Sequence, residues 1–107
     1  MAFQVILPEG LVDRRLHSRL VSEVRRIYAR VFDAVEEQVA VEITEIPPGR
    51  FFTAGKPSRS SLVGGTVPPG TSRADRTRFL SDVTAMWCEV TGCAPHDVLV
   101  SASDAPA

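Results

Sequence analysis

The stretch Val39-Ala40-Val41-Glu42-Ile43-Thr44-Glu45-Ile46-Pro47 alternates apolar with polar or small residues and is rich in β-branched side chains. That period of two predicts a strand. The pattern returns as Val98-Leu99-Val100-Ser101-Ala102-Ser103-Asp104-Ala105-Pro106, so that Val39 answers Val98, Val41 answers Val100, Glu45 answers Asp104 and Pro47 answers Pro106. Each pair lies 59 positions apart, and the same offset relates Ser22 to Ser81, Glu23 to Asp82, Val24 to Val83 and Tyr28 to Trp87. A constant offset that runs through a helical and a strand-like segment marks a repeat of one supersecondary unit.

Working outward, each copy reads strand, helix, strand. Phe3 to Leu7 predicts the first strand, ended by Pro8-Glu9-Gly10. A helix follows from about Asp13, its N-cap, to Phe32, with Leu16, Leu20, Val24, Ile27 and Val31 as its apolar stripe. No glycine closes it, so Asp33-Ala34 has to make the turn. The second copy opens with a strand from Ser61 to Val67, weakened by Gly64 and Gly65, and turns at Pro68-Pro69-Gly70. Ser72 caps the next helix, with Asp75 at capping-box spacing. Phe79, Leu80, Val83, Met86, Trp87 and Val90 form its apolar face, and Gly92 ends it. The repeat units span about 2–47 and 61–106 within a single domain, 1–107, and the irregular loop 48–60 joins them. A helical crossover makes the strands of each unit parallel. The expected fold is therefore α/β, two tandem β-α-β units forming a four-stranded sheet with both helices on one face. The other face is left bare for more copies of the same chain to cover.

Composition sets further bounds. The 107 residues are 44% hydrophobic and 23% charged, as a globular domain requires, and the net charge is −1. No bulk charge draws such a chain to nucleic acid or to a membrane surface, and no apolar run approaches the roughly 20 residues of a membrane span. Met1-Ala2-Phe3-Gln4-Val5 lacks a signal peptide's basic and apolar segments, which makes a cytoplasmic protein the expectation. Cys88, Cys93 and His96 lack a fourth ligand and fit no zinc spacing, so no metal is expected and the cysteines read as half-buried free thiols. Arg15, Arg19, Arg26 and Arg30 recur along one helix face with Glu23 between them, the pattern of a solvated, ion-paired face.

The double strand-helix-strand repeat, the turn Pro8-Glu9-Gly10, the strand exit Glu45-Ile46-Pro47-Pro48-Gly49, the loop Phe51-Phe52-Thr53-Ala54-Gly55 and the turn Gly70-Thr71-Ser72 occur in an order and at a spacing that resemble the tautomerase superfamily. This is the group of 4-oxalocrotonate tautomerase, macrophage migration inhibitory factor, malonate semialdehyde decarboxylase and the cis-3-chloroacrylic acid dehalogenases. The resemblance covers nearly the whole chain. It implies a trimer and an enzyme acting on a small carbonyl or carboxylate compound, with no organic cofactor. The family's catalytic proline follows the initiator Met; here that position is Ala2. With Met1 removed, Ala2 offers a primary amine of pKa ~7.7–8.0, able to shuttle a proton near neutral pH.

The family's Gly-Arg-Ser turn places a carboxylate-binding arginine where this chain has Thr71, and its echo in the first copy reads Gly10-Leu11-Val12. Arg73, two residues on, and Arg50 are the cations that remain to hold an acid group. Tyr28 matches a position where dehalogenase-like relatives carry a pocket histidine, and Asp104 matches the acid that activates water in them. Phe51 and Phe52 are expected to cover a core edge, a pocket or a neighbouring subunit. The implied chemistry is keto-enol isomerisation through the Ala2 amine, or hydration through Asp104 with Tyr28 orienting the substrate. Two alternatives stand beside it. One is a catalytically silent trimeric ligand-binding or assembly subunit; the other is one partner of a hetero-oligomer whose second chain supplies the proline.

Overall fold

A computed structural model describes residues 2–106. Strands β1 (Ala2–Pro8), β2 (Ala40–Ile46), β5 (Ser61–Val67) and β6 (Val98–Asp104) form one sheet in the order β2-β1-β5-β6. Helix α1 (His17–Phe32) joins β1 to β2, and α2 (Arg73–Thr91) joins β5 to β6. Strands within a unit are parallel, and the units meet where β1 runs antiparallel to β5, with Phe3 opposite Gly65 and Val5 opposite Val63. The architecture is the one expected: two β-α-β units, four strands, both helices on one face.

Amphipathic patterning decides what lies between sheet and helices. Phe3, Val5 and Leu7 on β1 and Val63 and Val67 on β5 point toward the helices and are buried. Leu20, Val24, Ile27 and Tyr28 on α1 meet them, as do Phe79, Val83, Met86 and Trp87 on α2. These helix positions correspond one to one at the offset of 59, as do Val39 and Val98 at the entry to the second strands. Four rings tie the units together: Phe79 of α2 lies 5.4 Å from Phe3, 5.8 Å from Tyr28 and 5.3 Å from Phe32 between centroids. Arg30 and Asp82 add an ion pair between the helices at 3.3 Å.

The offset is not constant along the whole repeat. Pro8-Glu9-Gly10 and Pro68-Pro69-Gly70 form equivalent turns 60 positions apart, closed by Leu11 N–H to Pro8 O (3.1 Å) and Thr71 N–H to Pro68 O (3.2 Å). The capping side chains return to 59, although the helix expected from Asp13 begins as a 3-10 turn, Arg14–Leu16, and α1 starts only at His17: the Asp13 carboxylate accepts from Arg15 N–H and caps that turn, and the Ser72 hydroxyl accepts from Asp75 N–H and caps α2. The first unit thus carries one extra residue between turn and cap, Leu11-Val12 against Thr71 alone. The shift matters because side chains alternate faces along a strand, and an odd offset would turn the inward row of β1 outward on β5.

Gly64 and Gly65 do not shorten β5, which runs for seven residues in the middle of the sheet. A Cβ on Gly65 would lie 2.3 Å from the Phe3 ring and 2.4 Å from the Ala2 carbonyl oxygen. The glycine leaves room for the ring to lie across the neighbouring strand. The loop 48–60 is also more ordered than its composition suggests. Ala54 and Gly55 both adopt positive φ, which closes a two-residue hairpin between β3 (Phe52–Thr53) and β4 (Lys56–Pro57).

The valines of the strands nearly all face the helices. The open face carries a shorter apolar row, Ile6 beside Leu62 beside Leu99, with Leu99 63% exposed. Gln4, Glu42, Thr44, Ser101 and Ser103 surround that row, so the face left bare is mixed in character.

Candidate functional site

The topology sorts the candidate residues to opposite ends of the sheet. Because β1 and β5 are antiparallel, the start of β1 lies beside the ends of β5 and β6 and the start of α2. Ala2, Thr71, Arg73 and Asp104 therefore gather at one end. The loop after β2, with Arg50, Phe51 and Phe52, lies at the other.

At the first end, Ala2 is exposed on the open side of β1, one residue before the Phe3–Gly65 pair. Met1, whose removal decides whether Ala2 carries a free amine, lies outside the described residues. Thr71 turns its hydroxyl back onto the Pro68 carbonyl at 2.6 Å, which ties it to the turn. Arg73 opens α2, is exposed, and shows no ion pair among the described residues. Asp104 ends β6 opposite Val67 and accepts a short hydrogen bond from Arg76, in the first turn of α2. Arg76 also buries its Nε without a hydrogen-bond partner. The sequence reading passed over Arg76. The available signal was the first copy, where Glu45, the echo of Asp104, is likewise matched by an arginine just before its helix.

Tyr28 is not at a pocket wall. It is 1% exposed, with Phe32 4.8 Å and Phe3 5.8 Å away between ring centroids. Its hydroxyl is buried without a hydrogen-bond partner, and desolvation raises its pKa. It occupies the core position that Trp87 fills in the second unit.

At the opposite end, Glu45 clamps the first turn. Its carboxylate accepts from Gly10 N–H at 3.2 Å and from Arg14 Nε at 2.8 Å, contacts that hold its pKa below the usual carboxylate value, the Gly10 bond foremost. Beside it, Pro8, Gly10, Ile46, Pro48, Phe51 and Pro57 line an open cleft of about 390 Å³. Phe51 is half-buried in that cleft, and its carbonyl accepts from Ser58 N–H at 2.8 Å. Phe52, next along the hairpin, is 54% exposed. Arg50 is exposed in the loop before it.

Of the arginines Arg15, Arg19, Arg26 and Arg30, three are ion-paired: Arg15 bonds Asp13, Arg26 bonds Glu23 and Arg30 bonds Asp82. Among the described residues no three His, Cys, Asp or Glu side chains come together as a metal set, and no helix is long and apolar enough to cross a membrane.

No protein-family model matches the sequence, and no curated protein matches it either. Solved structures do. The native protein Ps01740 superposes with a TM-score of 0.94 at 27% identity, over 100% of this chain and 96% of that one. N1, a member of the cis-3-chloroacrylic acid dehalogenase family, gives 0.92 at 18% identity, over 99% of this chain and 76% of its own. A fused 4-OT described as a wild-type symmetric trimer gives 0.88 at 16%, over 99% and 86%. The chain has the tautomerase-superfamily fold. Within that fold the start of β1 holds Ala2, and Arg76 is the residue that meets Asp104 at the same end of the sheet.

Proposed function

We propose that this chain is a proton-transfer enzyme for a small carbonyl or carboxylate compound, working as a homotrimer through the end of the sheet where β1 begins. The observation that carries the proposal is the convergence there of Ala2, the turn at Thr71, the cation Arg73 and the N-terminus of α2. Once Met1 is removed, the neutral Ala2 amine takes the proton α to the substrate carbonyl. The enolate oxygen, or the alternative carbon, takes it back from the ammonium. Arg73 and the N-terminal end of α2 hold the acid group, since a helix N-terminus favours an anion. Phe52 and Arg50 lie too far along the sheet to serve the same chain's Ala2; in a trimer they serve a neighbour's. The exposed row Ile6, Leu62 and Leu99 supplies apolar surface for packing between copies.

One pair of observations favours a second reading, a catalytically silent trimer subunit. Asp104 is already paired with Arg76, and Tyr28 is closed inside the core. Hydration through Asp104 and Tyr28 is the less favoured chemistry for the same reason.

The test is the ketonisation rate of phenylenolpyruvate with the Met1-processed protein, the same protein acetylated at its N-terminus, and Ala2→Pro. Acid–base groups contribute about 10²–10⁴-fold, so acetylation is expected to remove at least about 10² of the rate, and the proline to retain or raise it. No turnover in any form rejects the proposal in favour of the silent subunit. Sedimentation equilibrium checks the assembly, and a monomer at micromolar concentration would leave the Phe52 side chain without the neighbour the proposal gives it.

A further inference from the structure

The two units close their helices in the same way and fill the closure differently. In α1, Asp33 takes a left-handed conformation (φ 52°), and Asp33 N–H bonds the Ala29 carbonyl; Ala34 N–H does so as well, at 3.1 Å. In α2, Gly92 takes the same conformation (φ 77°), and its N–H bonds the Cys88 carbonyl at 2.8 Å. Residues on either side of such a closure meet across it. At the offset of 59 the meeting pair is Ala29 and Ala34 in the first unit and Cys88 and Cys93 in the second. The first unit shows that methyl groups suffice for the closure. The second places a thiol at both positions, and the Cys93 thiol donates to the Cys88 sulfur at 3.7 Å.

The surroundings of the two sulfurs differ. Cys88 sits on the last turn of α2, packed against the core, where desolvation raises its pKa. Cys93 lines an open cleft of about 310 Å³, shared with Arg59, Ser61, Thr91 and Asp97. The cleft carries one cation, Arg59, and one carboxylate, Asp97. Neither Ala2 nor Asp104 borders it, so it is separate from the end of the sheet proposed for proton transfer.

We infer that Cys93 and Cys88 form a dithiol modification site that reacts with small disulfides entering the cleft beside Arg59, and closes into a reversible internal disulfide. The Cys93 thiolate attacks one sulfur of the small disulfide, forming a mixed disulfide at Cys93 and releasing one small thiolate. The Cys88 thiolate then attacks the Cys93 sulfur, forming the Cys88–Cys93 bond and releasing the second thiolate. The small disulfide gains two electrons and the protein loses two, so no other oxidant is required. Sulfurs already 3.7 Å apart, on residues five positions apart, need to close to about 2.05 Å for the bond. Arg59 gives the cleft a preference for disulfides that carry carboxylates.

The experiment equilibrates the folded wild-type protein with oxidised and reduced glutathione at a series of ratios, quenches with an alkylating agent, and reads intact mass. The expected result is a single transition in which both alkylation sites disappear together with no bound glutathione. Dithiothreitol reverses it. Cys88→Ala, which copies Ala29, is expected to stop at one glutathione on Cys93. Cys93→Ala, which copies Ala34, is expected to react at Cys88 at least tenfold more slowly than wild type reacts at Cys93. Circular dichroism of both variants establishes that they are folded. Independent loss of the two thiols, stable glutathione on Cys93 in wild type, or reaction only in denaturant would each overturn the inference.

Discussion

The two β-α-β units share a core pattern and differ at their edges. Leu20, Val24, Ile27 and Tyr28 have buried counterparts in Phe79, Val83, Met86 and Trp87, position for position. The caps, turns and helix closures do not match in this way. Asp13 does in one unit what Ser72 does in the other, Asp33 what Gly92 does, and Leu11-Val12 stands against Thr71. Core positions are constrained by packing on all sides, so chemistry there changes slowly between copies. Edge positions need only one hydrogen bond or one φ value, and several residue types can provide it.

The largest effects are expected where that shared core is cut. Trp87 is fully buried and Tyr28 nearly so, and both carry a buried polar atom without a partner. Trp87→Ala and Tyr28→Ala should each cost about 3–5 kcal/mol in urea unfolding. Tyr28→Phe should change stability by less than about 1 kcal/mol, because the hydroxyl it removes has no bond to lose. The ring cluster joining Phe3, Tyr28, Phe32 and Phe79 makes the units one cooperative body. Both alanine variants are therefore expected to unfold in a single transition by fluorescence and circular dichroism. Two separated transitions would show that the units are energetically independent.

Gly65→Ala comes next. The first unit has Val5 at the matching strand position and tolerates its side chain, whereas on β5 the Phe3 ring occupies the space. The added Cβ should cost about 1–3 kcal/mol as an overpacked contact. In the double variant Phe3→Leu with Gly65→Ala, much of that cost should disappear. Additive losses would refute the ring contact as its cause.

The helix closures give a smaller and opposite pair. Asp33 holds a left-handed conformation that suits glycine, and Gly92 is the glycine already in place. Asp33→Gly is expected to stabilise by up to about 1 kcal/mol and Gly92→Ala to destabilise by about 1 kcal/mol, read as shifts of the urea midpoint. Shifts of the same sign in both variants would break the equivalence of the closures.

Much of this plan could be read from the sequence, because it lies in periodicity. The offset from Val39 to Val98 and from Tyr28 to Trp87 exposed the repeat, and the repeat fixed the parallel strands and the shared helix face. What stayed hidden depended on contacts between segments distant in the chain. The Arg76–Asp104 pair joins residues 28 positions apart, with only the Arg14–Glu45 pair of the first unit to hint at it, and the Phe3 ring over Gly65 turns an apparent strand weakness into a packing requirement. Tyr28 looked like a site residue by alignment with relatives, yet helix phase places it in the core. Ala54-Gly55 was legible as a hairpin turn only once both φ values were known to be positive. The change of offset from 60 to 59 was hidden because Pro8-Glu9-Gly10 and the helix stripe were each convincing alone.

The smallest predicted difference is set by pH. Two short helical starts perform one task with different chemistry: the Asp13 carboxylate accepts from Arg15, while the Ser72 hydroxyl accepts from Asp75 N–H. Hydrogen bonds from the Arg15 side chain, and then from its backbone, lower the Asp13 pKa from 3.8 to about 2. A depressed carboxylate pKa means that folding favours the charged form. Its contribution is complete above pH 3.8 and is lost as pH falls toward about 2. Ser72 has no ionisation in that range, so the start of α2 should hold where the 3-10 turn Arg14–Leu16 before α1 frays. Asp13 is solvent-exposed, which keeps the effect small. The check is amide exchange at Arg15, Leu16 and His17 compared with Asp75 and Arg76 between pH 5 and pH 2. Protection is expected to fall on acidification in the first group only, and Asp13→Asn should flatten that fall. An equal loss at both starts would assign the acid sensitivity to the shared core, or to the Glu45 clamp on Gly10 and Arg14, and not to the difference between the caps.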